Sequence, residues 1–242
     1  MIHKEFSTYF DSLNNQRFCV ALGPADLANF VESSRSLPDR HFYIGGHVGL
    51  PDLELCGVNK GSGDVVFSNV RDPIERAVSL YFLMLRSPDW LPVLARGVAG
   101  RGFEYFYNYA RGEGHFFNND QCQLIAGTIN YETTVCYVQE NFDFLGSFSY
   151  MDKFQDELVR RIAPVVPGFR IQGGRVNEAF HVRSETHWTK RRDIAEIVSR
   201  KLASRIKRDN SADQQLVEFV ENIHGGIYAP KAAGESESQV RG

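Results

Sequence analysis

The sequence predicts an α/β protein: a parallel sheet flanked by helices, with a helix-rich second half. Two observations carry this. Short apolar runs alternate with segments of helical period in the first half of the chain, as βαβ units require. The run Val65–Val70 then stops at Arg71-Asp72-Pro73, and a helix pattern opens at once.

Arg17–Leu22 reads as the first strand. Gly23-Pro24 opens a helix to about Ser36, in which Leu27, Phe30 and Val31 fall at i, i+3 and i+4. His41–Ile44 reads as a short strand ending at Gly45-Gly46-His47. After the Gly61-Ser62-Gly63 loop comes the Val65–Val70 strand. Asp72 is placed to cap the next helix, with Pro73 at its first position and Glu75 completing a capping box. Ile74, Ala77, Val78, Tyr81, Phe82 and Leu85 mark its buried stripe. Residues 88–141 read as mostly helical, with the aromatic group Phe103, Tyr105, Phe106, Tyr107 and Tyr109 assigned to core rather than to ligand stacking. Phe142–Phe148 reads as a strand and Met151–Ala163 as a helix. Residues 170–188 read as a polar loop. A single long helix is expected from about Thr189, with Ile194, Val198, Leu202 and Ile206 inward. Residues 1–229 form one domain in this reading, and 230–242, without apolar periodicity, form a disordered tail.

Composition narrows the classes. The 242 residues suffice for one α/β domain, and 43% hydrophobic with 24% charged residues is ordinary for a globule. A net charge of −3 argues against general nucleic-acid binding. The segment 181–208 runs against this trend, with nine Lys/Arg to three Asp/Glu; it reads either as a face for an anionic ligand or as a solvated helix face. Cys19, Cys56, Cys122 and Cys136 show neither a CxxC pair nor zinc spacing, so reduced, mostly buried thiols are expected. No membrane span and no signal-peptide core are evident.

Around Arg71 the chemistry is specific. A cation at a strand end, just before a helix N-terminus, suits an anionic ligand. A guanidinium fork from Arg71 and a hydroxyl from Ser79 are the donors one phosphate calls for. The alternative is a capped core helix with a surface arginine.

Phe67-x-x-x-Arg71-Asp72-Pro73-x-x-Arg76-x-x-Ser79-x-Tyr81 resembles the 3′-phosphate-binding segment of sulfotransferases that use 3′-phosphoadenosine 5′-phosphosulfate (PAPS), in particular the carbohydrate branch containing heparan sulfate 2-O-sulfotransferase. Phe42–Val48 is similar to that family's Gly-His segment, Asn119–Gly127 to its Asn-x-Gln block, Phe142–Phe148 to its late strand-helix unit, and Arg175-Val-Asn177 to a short Asn-containing loop. The resemblance implies a P-loop-NTPase-like parallel sheet, PAPS as co-substrate without a metal, and a carbohydrate or glycolipid acceptor. By it, Arg71 and Ser79 hold the 3′-phosphate and His47 is the base. Lys4 and Thr8 come into register with the loop that cradles the 5′-phosphosulfate, Lys4 at the leaving oxygen. Asn119 and Gln121 contact ligand or cap a helix. His115, His181 and His187 have no motif support. A cytoplasmic, bacterial setting is expected.

The chain departs from the family over residues 2–10. Ser7 and Tyr9 stand where the family's loop has Gly and Ser, and the preceding strand is missing. Glycine permits the close backbone approach that an anion cradle needs. Two expectations follow: a chain that starts short of its loop, or a non-catalytic relative that binds a nucleotide or glycan. A P-loop kinase is disfavoured, because G-x-x-x-x-G-K-[ST] does not occur.

Overall fold

A computed structural model describes residues 18–21, 24–34, 43–46, 49–61, 64–86, 92–96, 101–113, 117–164, 166, 169–171 and 191–230. The chain is α/β and mostly helical. Strand β1 (Phe18–Ala21) pairs in parallel with β2 (Tyr43–Gly46), and helix α1 (Pro24–Ser34) connects them. Helix α2 (Leu50–Leu55) follows. Strand β3 (Phe67–Val70) leads into α3 (Pro73–Arg86). The middle is helical, as its pattern predicts: α4 (Pro92–Ala95), α5 (Gly102–Gly112), α6 (Asp120–Ala126) and α7 (Tyr131–Asn141). Strand β4 (Phe144–Ser147), a 3₁₀ turn at Phe148–Tyr150 and α8 (Met151–Ile162) come next. Helices α9 (Arg191–Ile197), α10 (Arg200–Asp209) and α11 (Ser211–Glu218) lead through a π-helical turn at Phe219–Ile223 to β5 (Ile227–Tyr228).

The strands of the described residues form two sheets. β1 and β2 make one. The other has the order β3-β4-β5, with β3 and β4 parallel and β5 antiparallel. The sheet expected to be parallel throughout is therefore mixed at this edge. Two residues are too few for a periodic signal, which is why β5 was not legible.

Pleating assigns the faces of the larger sheet. Val70 and Leu145 point to a core shared with Cys122, Val138, Leu216 and Val220 of α6, α7, α11 and the π-helical turn. Phe67 and Phe144, stacked at 5.4 Å, point to the other side, onto Phe154, Leu158 and Ile162 of α8. Gly146 lies beneath the Phe154 ring, where a Cβ would come within 2.2 Å of Cδ2. A third core joins α3, α5 and α10 through Ala77, Met84, Phe106, Tyr107, Leu202 and Ile206. Here Phe103, Phe106 and Tyr107 are buried, as a core assignment requires, while Tyr105 is exposed. Leu85, expected inward, is 47% exposed, and Met84 fills the core beside it.

The long helix expected from Thr189 is two helices. Ser199 ends the first and caps the second, its Oγ accepting from the Leu202 N–H at 3.3 Å. A serine offers that competing bond wherever the chain can turn. The inward stripe nonetheless holds, with Val198, Leu202 and Ile206 buried. Cys122 is buried, Cys56 half-buried and Cys136 exposed, so the described thiols are less buried than expected; all three are free. The Gly61-Ser62-Gly63 loop is described only at Gly61, the 170–188 loop only at 170–171, and the tail from 231 onward lies outside the described residues.

Candidate functional site

The site is built where β3 becomes α3. Val70, opposite Ser147, is the last residue of β3 to pair with β4. Asp72 then caps α3: its Oδ1 accepts from the N–H groups of Ile74 at 2.8 Å and Glu75 at 3.1 Å. The reciprocal half of the expected capping box is not among these contacts. Glu75 turns instead toward Arg71, with Oε2 3.7 Å from Nε. At that length the pair is an ion pair without a hydrogen bond.

Arg71 is held by its surroundings rather than by directed bonds. Its guanidinium lies 4.3 Å from the centroid of the Phe148 ring. The Nε is buried and has no hydrogen-bond partner. Burial lowers the Arg71 pKa, and Glu75 beside it opposes the shift. The side chain keeps 28% of its surface exposed. It is therefore a cation with donor capacity in hand, half out of water.

Ser79 is half-buried on α3, one turn beyond Glu75. Glu75 and Ser79 share a row of the helix at a step of four residues, while Arg71 lies before the Asp72 cap and meets that row only through Glu75. Arg76, four residues from Asp72, is engaged elsewhere, its Nη1 paired with Asp120 Oδ1 of α6. The two arginines of the motif are both ion-paired, Arg71 at long range with Glu75 and Arg76 closely with Asp120.

Beside this turn opens a cleft of about 270 Å³, lined by Asp72, Ile74, Glu75, Ser149, Ile194 and Glu221. Its three carboxylates each carry one engaged oxygen. Asp72 caps α3, Glu75 faces Arg71, and Glu221 Oε1 accepts from Ser147 Oγ. Among the described residues this lining holds three carboxylates and no cation, so it suits hydroxyl donors rather than an anion.

Behind the turn lies a buried polar network. Gln121 Oε1 accepts from the Arg71 N–H at 2.8 Å, and its Nε2 donates to the Arg71 carbonyl at 2.9 Å. The N-termini of α6 and α11 cap each other. The Asp213 carboxylate accepts from the N–H groups of Gln121 and Cys122 at 3.1 and 2.9 Å, and Asn119 Oδ1 accepts from those of Ala212 and Asp213 at 2.8 and 3.2 Å. Asn119 takes a left-handed φ of 55° to do so, a conformation asparagine tolerates. Burial raises the Asp213 pKa, opposed by the two N–H groups it accepts. Asn119 and Gln121 are thus bound into the scaffold. Asp213, and Asn210, whose Oδ1 accepts from the Asn119 N–H at 3.2 Å, carry no local signal and were not legible.

Lys4, Thr8 and His47 lie outside the described residues, as do Arg175, Asn177, His115, His181 and His187. The structure therefore places Arg71 and Ser79 of the expected site. Among the described residues no group of His, Cys, Asp or Glu is placed to hold a metal ion, and no helix is long and apolar enough to cross a membrane.

No family model, curated protein or solved structure matches this chain.

Proposed function

We propose that the chain is a PAPS-dependent sulfotransferase that moves a sulfuryl group to a hydroxyl of a carbohydrate or glycolipid. The observation that carries the reading is Arg71. It is a half-buried guanidinium at a strand end, its Nε buried without a hydrogen bond, inside the spacing Phe67-x-x-x-Arg71-Asp72-Pro73-x-x-Arg76-x-x-Ser79. A phosphate supplies the acceptor oxygens such a fork lacks.

In this reading the parallel pairs β1–β2 and β3–β4, which form separate sheets among the described residues, supply the strands of a P-loop-NTPase-like core. Arg71 and Ser79 hold the 3′-phosphate and so orient the nucleotide. Thr8 contacts the 5′-phosphosulfate. Transfer is an in-line displacement: a bond forms from the acceptor oxygen to sulfur while the bond from sulfur to the 5′-phosphate oxygen breaks. His47 takes the acceptor's proton, and Lys4 offsets the charge left on the 5′-phosphate. No metal has a role. Free thiols at Cys56, Cys122 and Cys136 suit the reducing cytoplasm of a bacterium.

Calorimetric titration with 3′-phosphoadenosine 5′-phosphate, against 5′-AMP, tests the assignment. The bisphosphate should bind more tightly, and Arg71→Ala should remove about 1.5–3 kcal/mol of that advantage, the range for a hydrogen bond to a charged group. His47→Ala should leave the affinity intact and abolish transfer. Equal affinity for the two nucleotides would overturn the reading.

The carboxylate-lined cleft favours a second reading, a non-catalytic relative that binds a glycan through its hydroxyls. Binding of a neutral oligosaccharide, with no preference for the bisphosphate, would select it.

A further inference from the structure

We infer that Gln121 is a positioning residue for Arg71, acting on the backbone of the residue that binds the nucleotide. The inference rests on the reading of Arg71 as the 3′-phosphate ligand. Strand pairing between β3 and β4 ends at Val70. Arg71, one residue further, would leave its peptide groups without a ladder partner. The Gln121 side chain supplies both halves of one, accepting from the Arg71 N–H and donating to its carbonyl. One planar amide that makes two bonds to one residue fixes its location and its rotation together, as a neighbouring strand would.

The clamp is itself anchored. Gln121 is 7% exposed, and its own N–H is held by Asp213, in the first turn of a helix capped in turn by Asn119. The Arg71 backbone is thereby tied to α6 and α11. The guanidinium has no such tie, only Glu75 at 3.7 Å and the Phe148 ring. A fixed Cα removes backbone ordering from the cost of binding and leaves only the guanidinium to settle on a phosphate, and preorganisation of the backbone raises affinity in that way. Capping of α6 alone would not account for the geometry, since both amide atoms of Gln121 bond Arg71 rather than its own helix.

The test is a double-mutant cycle on the full chain, titrated with 3′-phosphoadenosine 5′-phosphate and 5′-AMP. Gln121→Glu keeps the shape but sets a carboxylate oxygen against the Arg71 carbonyl; Gln121→Leu removes both bonds. Each should weaken bisphosphate binding about tenfold while leaving 5′-AMP within about twofold, and Gln121→Leu should add almost nothing in an Arg71→Ala background. Bisphosphate affinity unchanged in a folded Gln121→Glu chain would overturn the positioning role and leave the role of Arg71 standing. An unmodified chain that does not distinguish the two nucleotides would overturn the role of Arg71, and the positioning role with it. Amide hydrogen exchange of the unmodified chain covers variants that fail to fold: Arg71 should be protected like Val70, and free exchange at Arg71 would overturn the clamp.

Discussion

The parallel strands β3 and β4 end side by side, and their ends are built in opposite ways. At the end of β4, Ser147 Oγ donates to Glu221 and accepts from the Ser149 N–H, so the side chain closes the turn. At the end of β3, the backbone of Arg71 is closed by Gln121 while its Nε makes no hydrogen bond and faces Glu75 at 3.7 Å. One end uses its side chain to finish the fold. The other finishes the fold with a distant residue and leaves its side chain for something else. A buried donor without a hydrogen bond costs about 1–3 kcal/mol, and the Glu75 carboxylate 3.7 Å away offsets part of that cost. The same division separates Arg71 from Arg76, which is closed onto Asp120.

The sharpest way to break the comparison is on the β4 side. Gly146→Ala puts a methyl group against the Phe154 ring and near Ile227 Cδ1. Overpacking of this kind should lower stability by about 3 kcal/mol in urea unfolding. Because it loosens β4 and α8 first, the nucleotide preference of the folded fraction should persist; loss of preference at full folding would show that the two strand ends are not separable.

Arg76→Ala should come next. It strands Asp120, which is 8% exposed, and should cost about 2 kcal/mol of stability without changing the preference for the 3′-phosphorylated nucleotide. Arg71→Ala should do the reverse, and a swap of these outcomes would mean that the arginines have been assigned the wrong way round.

The smallest effect lies in α8, as a control away from both strand ends. Arg160 hydrogen-bonds Glu157 and, with Arg161, lowers its pKa against the opposing effect of burial. A depressed carboxyl stabilises the fold above its ordinary value, and that contribution is lost as pH falls through the lowered one. Against Glu157→Gln, the parent's advantage should be about 0.5 kcal/mol near neutrality and vanish in acid. An advantage that grows toward acid would reverse the sign of the shift.

Much of the β3–α3 turn was legible. Val65–Val70, Asp72 and Pro73 announce a strand, a cap and a first helical turn, and each is in place. The partner of Glu75 was not, because a capping box and an i,i+4 pair with Arg71 ask for the same residue and spacing cannot choose between them. The break in the helix expected from Thr189 was hidden for a similar reason: its apolar stripe continues across Ser199, while the break depends on one hydroxyl finding an N–H.

Elements whose causes lie within a turn or two follow from local order alone: the alternation of strand and helix, the inward stripes of α3, α8 and α10, and the cation at the end of β3. How that cation is held, and what surrounds it, depends on the packing of distant segments. Gln121 meets Arg71 from 50 residues away and Asp213 meets Gln121 from 92. Propensity and periodicity act over a few residues, whereas which buried polar groups find each other is set by how the packed helices bring their ends together.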